Sequence, residues 1–218
     1  MKTNINIVIK LLVLSAAVLF FNNSIFAQKQ LQSAKELMSR SEYAQAIKVY
    51  KDFISTSSAG IQEKRDLAEC YLATGNTIAA EEWLAEVADN PDHTAQDVLK
   101  YANVLKSNGK YSEAMIQYQD YGKMQPAESS KAKEMVNACK KSLEWIADPA
   151  YTDVINADAM NSENSDFGLM PYENGFLLTS DRRLKGKSYS ASDIYGWTGN
   201  PYLKIIQYKE KDLSIAPR

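Results

Sequence analysis

The stretch AQDVLKYANVLKSNGKYSEAMIQYQDYGKM, Ala95 to Met124, reads as two helices joined at a glycine. Val98, Tyr101, Ala102 and Leu105 form one apolar stripe at the 3.6-residue period, and Tyr111, Ala114, Met115, Tyr118 and Tyr121 form a second. Gly109 between them suits the left-handed backbone that ends a helix, and the alanines let neighbouring helices approach closely.

The same hairpin recurs upstream at a shift of 34 residues. Ser41, Gly75 and Gly109 align, as do Tyr43, Thr77 and Tyr111, then Ala46, Ala80 and Ala114, then Tyr50, Leu84 and Tyr118. Earlier in each unit, Ala34, Ala68 and Ala102 correspond, followed three positions later by Leu37, Tyr71 and Leu105. A fixed period with matched residue types marks a repeat array, in which each unit buries its apolar face on its neighbours. Pro91 and Pro126 fall where the second helix of a unit must stop. The units are expected at about 27–60, 61–94 and 95–128. Ser129 to Asp148, with Met135, Val136, Cys139, Leu143 and Ile146 at helical spacing, is expected to be a capping helix over 129–148.

The pattern resembles the tetratricopeptide repeat, whose order of small residue, Gly, aromatic, Ala, aromatic and Pro is met by Ala102, Gly109, Tyr111, Ala114, Tyr118 and Pro126. The first unit departs at Ser41 and Ser58, and the second at Thr77. The resemblance implies an all-α solenoid that takes a protein partner, as an extended peptide or a helix, on the concave face of its first helices. In this register that face carries Lys35, Met38, Arg65, Glu69, Leu72, Lys100, Asn103 and Lys106.

Outside the array, residues 1–27 have the order of a secretory signal peptide. Lys2 and Lys10 are followed by the apolar run Leu11 to Phe21 and a polar stretch ending at Ala27. The run is shorter than the roughly 20 residues of a membrane span, so cleavage near Ala27 is expected, leaving no transmembrane span. The remaining chain carries 23 basic against 27 acidic side chains, a net charge of −4, which gives no electrostatic footprint for nucleic acid. Cys70 and Cys139 lie two repeats apart, beyond the roughly 7 Å reach of a disulfide, and are expected to be small buried residues.

No phosphate-binding glycine loop, zinc-spaced cysteine pair or nucleophile elbow occurs, and the sole histidine, His93, sits in the loop DNPDH. With Asp89 and Asp92 it makes a poor metal set and a good helix-capping loop. The chain is therefore expected not to be an enzyme and to need no metal or cofactor.

From Asp148 onward the helical period is lost. Asp166 to Pro171, Phe176 to Asp181 and Tyr202 to Tyr208 read as strands, with Asn174-Gly175 as a hairpin turn. Asn161, Ser162, Ser165, Asp166, Phe167, Gly175, Phe176 and Ser180-Asp181-Arg182 resemble the opening blade of the β-propeller related to TolB repeats. Trp197, Gly199, Asn200, Pro201 and Tyr202 are similar to its next strand entry. The fold class expected is α + β in separate domains: a tetratricopeptide solenoid over 28–148, then a partial antiparallel sheet over 149–218, the start of a propeller cut short.

The whole order resembles Bacteroidetes envelope proteins, including type IX secretion and gliding-motility components, that end in an OmpA-like peptidoglycan-binding domain. That resemblance implies a periplasmic, outer-membrane-associated scaffold whose contact with peptidoglycan runs through a region beyond Arg218. An accessory module of an exported enzyme or glycan-binding protein, or a self-contained assembly chaperone, would share the same helical half.

Overall fold

The computed structural model describes residues 26–57, 59–158 and 160–209. They form two compact units, one through Leu143 and one from Glu144. The leader expected over residues 1–27 lies almost wholly outside the described residues, as does Ser58. Among the described residues, no helix is long and apolar enough to cross a membrane.

The first unit is helical. Helix α1 covers residues 26–39 of the described chain; α2 (Tyr43–Thr56), α3 (Ile61–Ala73), α4 (Thr77–Ala88), α5 (Ala95–Ser107), α6 (Tyr111–Met124) and α7 (Ser129–Ala147) follow. Helices α3, α5 and α7 start 34 residues apart, and so do α2, α4 and α6. We call α1, α3 and α5 the A helices and α2, α4 and α6 the B helices.

The residues that define the period also define the packing. Ala34, Ala68, Ala102, Ala46, Ala80 and Ala114 are all 0% exposed, so A and B helices meet through alanine, where any larger side chain would force them apart. Tyr50, Leu84 and Tyr118 are buried at the equivalent B positions. Val104 of α5 packs with the α1–α4 core, whereas Ala102 and Leu105 of the same helix pack with Ala114, Tyr118 and Cys139. Helix α5 thus belongs to two successive cores, which makes the hairpins one stack.

Each A helix ends in the same closure. Ser41, Gly75 and Gly109 have φ of 59°, 76° and 77°. The next amide donates back to Leu37, Tyr71 and Leu105 carbonyls at 2.9, 2.9 and 2.8 Å. A left-handed residue followed by this bond satisfies carbonyls that the helix end leaves open. Ser41 adopts it without the freedom of glycine, at a cost of about 1–2 kcal/mol.

The second unit contains a three-stranded antiparallel sheet in the order β1 (Asp166–Tyr172), β2 (Gly175–Ser180) and β3 (Lys204–Lys209). The hairpin turn differs from the sequence expectation. Its two loop residues are Glu173 and Asn174, with Glu173 at φ 49°, while Gly175 already pairs with Tyr172 inside β2. Gly175 is needed for another reason: a Cβ there would collide with the Tyr208 backbone carbonyl of β3. The third strand starts at Lys204, later than expected, because Tyr195 to Asn200 closes a turn of its own and Pro201 bridges back to Ile194.

Candidate protein-binding site

The eight residues singled out from the sequence come from α1, α3 and α5, and the structure gives them unequal roles. Arg65 donates through Nε and Nη2 to the two carboxylate oxygens of Asp97, at 2.9 and 2.7 Å, and through Nη2 to the Asp92 carbonyl at 3.1 Å. Asp97 is 4% exposed and is held by Thr94, whose amide and hydroxyl both donate to Asp97 Oδ2 at 2.7 Å. Burial alone would raise the Asp97 pKa, but hydrogen bonds from Arg65 and Thr94 outweigh it and hold the carboxyl below its usual range. Arg65 is therefore a brace from α3 to the N-terminus of α5.

One turn further along, Lys100 of α5 pairs with Glu69 of α3. Met38 and Leu72 are half-buried against the first core. Lys35 and Asn103 are exposed, and Lys106 is intermediate. Asn103 Oδ1 accepts the Tyr118 hydroxyl at 2.7 Å, so it also ties α6 to α5. Of the eight, Lys35, Asn103 and Lys106 are thus the polar groups that are not held in an ion pair between A helices.

The repeat junctions carry matching polar contacts. Asn108 donates to the Thr77 carbonyl at 3.1 Å and to Glu81 at 2.8 Å, and Lys110 pairs with Glu81 at 2.5 Å. Tyr50 donates to Asp66 at 3.0 Å across the first junction. None of these residues has its partner close in sequence, so the spacing arguments that found the repeat could not find them. Asp97 carried one legible signal: Thr94 three residues before it is the start of a capping box.

The remaining chemistry-bearing residues are accounted for by packing. Both cysteines are free and buried, and burial pushes the Cys70 thiol up to about 12 and raises that of Cys139. His93 Nδ1 lies 2.7 Å from the Asn90 carbonyl in the α4–α5 loop.

In the β unit Ser162, Ser165, Arg182 and Asn200 converge on Asp166 and Asp181. Asp166 accepts from the Ser162 amide and hydroxyl at 2.6 Å and from Arg182. Arg182 further donates to the Tyr208 hydroxyl at 2.7 Å and to the Met160 carbonyl. Asp181 accepts from the Ser165 amide at 2.9 Å and from Asn200 at 3.0 Å. These contacts join the segment before β1, the end of β2 and the turn before β3.

The fold thus defines a class: a stack of two-helix repeats with a 34-residue period, followed by a small antiparallel sheet unit. No protein-family model matches the chain, and no curated protein matches it either. Among solved structures it is similar to the TPR domain of Sgt2 from Aspergillus fumigatus, at 21% identity and a TM-score of 0.45, over 60% of this chain and 89% of that one. The Yersinia enterocolitica type III secretion chaperone SycD, solved with a peptide of the translocator YopD, matches at 18% identity and a TM-score of 0.44, over 53% and 93%. MamA protein matches at 16% identity and a TM-score of 0.43, over 59% and 79%.

Proposed function

We propose that this chain is a non-enzymatic protein-interaction scaffold whose stacked A helices receive a peptide or helix from a partner protein. The observation that carries the reading is the stack itself. Three hairpins stack through alanine contacts, the second and third are further joined by the Arg65–Asp97 and Lys100–Glu69 pairs, and together they hold an A-helix surface in place. A preformed surface lowers the ordering cost of binding. The test is photocrosslinking from Leu72 and Asn103 in the producing cells, with a discrete protein adduct expected.

The finer reading is that the scaffold is exported and works in a bacterial envelope. In it the sheet unit begins a propeller and an OmpA-like region beyond Arg218 tethers the assembly to peptidoglycan. Its support is the leader-like order of residues 1–27 and the gathering of Ser162, Ser165, Asp166, Asp181 and Arg182 into one network. The expected result is that the protein with its natural continuation sediments with isolated sacculi while residues 28–148 do not. Sedimentation of the helical part alone would overturn the assignment of roles.

A further inference from the structure

The 34-residue period, carried one step beyond the third hairpin, points to a second docking place. Helix α7 takes the position of a fourth A helix, but among the described residues no B helix follows it in register. Residues 41, 75 and 109 turn the chain after each earlier A helix; the equivalent residue is Leu143, and α7 runs on through it to Ala147. It is 19 residues long, against 13 for α3 and α5.

Beside α7 lies a groove of about 490 Å³, between it and α6. Its floor is Gly122 of α6 with Ala132 and Val136 of α7, the last two buried at 3% and 7% exposure. A Cβ on Gly122 would sit 2.9 Å from that of Ala132, so glycine sets the close approach of the two helices. Its rim carries Lys123, Lys133 and Lys140, with no acid among the lining residues. Lys123 is paired with the exposed Asp120 at 2.6 Å, whereas Lys133 and Lys140 stand exposed.

The repeat says what such a groove holds. Position 136 of α7 is equivalent to Ala102 of α5, on which α6 packs. Position 137 is equivalent to Asn103, whose amide oxygen accepts the hydroxyl of Tyr118 from the neighbouring B helix. Asn137, with the same kind of side chain, is among the residues lining the groove. Lys133 stands at the position of the buried Leu99 and of Arg65, whose guanidinium is held by the Asp97 carboxylate, so the groove offers a cation where the second repeat pairs one with an acid.

We infer that the α6–α7 groove is the seat for a fourth B-type helix supplied by a partner protein, amphipathic and acidic, with a tyrosine hydroxyl directed at Asn137. This deepens the scaffold reading and rests on it, placing a contact at the end of the stack, where Asn137 and Lys140 continue the row of Asn103 and Lys106.

The chain contains a suitable probe. Its own B helix α4 with the following Asp89, TIAAEEWLAEVAD, carries four acids and no base, and its Leu84 is equivalent to Tyr118. A helix-stapled, fluorescent peptide of this sequence is titrated onto the full chain by anisotropy, alongside the same peptide with Leu84→Tyr. The expected result is saturable binding that falls at least roughly ten-fold in the Lys133→Glu/Lys140→Glu chain, as loss of two charge contacts requires. The tyrosine peptide should bind about five-fold tighter, an advantage lost with Asn137→Ala. Both chain variants change exposed residues, and circular dichroism verifies their folding.

No saturable binding at roughly millimolar peptide, or equal binding to wild type and the double variant, overturns the groove. Binding lost with Lys106→Glu instead would also overturn it, while leaving the A-helix scaffold standing. Concentration-dependent self-association abolished by Lys133→Glu would make the occupant a second copy and likewise refute an outside partner.

Discussion

Asp166→Ala is expected to unfold the β unit while leaving the helical stack intact. Asp166 is 5% exposed at its side chain and Arg182 is 15%, so removing the carboxylate leaves a largely buried guanidinium without its counter-charge. Breaking a buried pair in this way costs about 3–5 kcal/mol, and three strands are near the lower limit for an independently stable sheet. The measurement is amide hydrogen exchange resolved by peptide. Residues 166–209 should lose protection, and α3 to α6 should keep it. Retained protection in β2 would show that the network is peripheral to the sheet.

The same group makes the unit acid-sensitive. Burial would raise the Asp166 pKa, but hydrogen bonds from Ser162, Ser180 and Arg182 reverse this and place it well below the usual carboxylate range. A carboxylate depressed in the folded state stabilises the fold above its unfolded value, near 3.9, and that contribution is lost as pH falls below it. Exchange protection of β1 and β2 should accordingly decline below about pH 4.

The second large effect is expected at Arg65. Arg65→Met should destabilise the helical unit by about 3 kcal/mol, because Asp97 keeps its charge in a buried site with only Thr94 to satisfy it. Adding Asp97→Asn removes that charge, so the double variant should recover a good part of the loss. Urea unfolding followed at 222 nm measures both. If the double variant is as unstable as the sum of the two single changes, the pair is not coupled and the brace is misassigned.

These contacts explain which parts of the molecule were legible in advance. Ala34, Ala68 and Ala102, and the turns at Ser41, Gly75 and Gly109, repeat because each hairpin solves the same local packing problem, and periodicity records it. Asp97 and Arg182 act through partners 32 and 16 residues away, on other elements. No local pattern encodes those distances. From its face alone Arg65 reads as a groove residue, although its fork is directed across the stack at Asp97. Gly175 is the converse case. Its place after Asn174 suggested a turn, yet the approach of β3 is what requires it, and only the paired strands reveal that. The α6–α7 groove was within reach of the sequence, since shifting Asn103 by one more repeat gives Asn137, and Leu143 and Ile146 at helical spacing already carry a helix past the position where the earlier A helices turn.

The proposed role of the stacked helices is to hold another protein. It is tested most directly by placing a photocrosslinking amino acid, one position at a time, in the native host. The positions are Leu72 and Asn103 on the A helices, Lys133 beside the groove, and the exposed B-helix positions Gln45 and Glu113 for comparison. One discrete protein adduct is expected from the A-helix positions or Lys133, identified by mass spectrometry and absent from Gln45 and Glu113. Equal adducts from all five positions, or none from any, would contradict it.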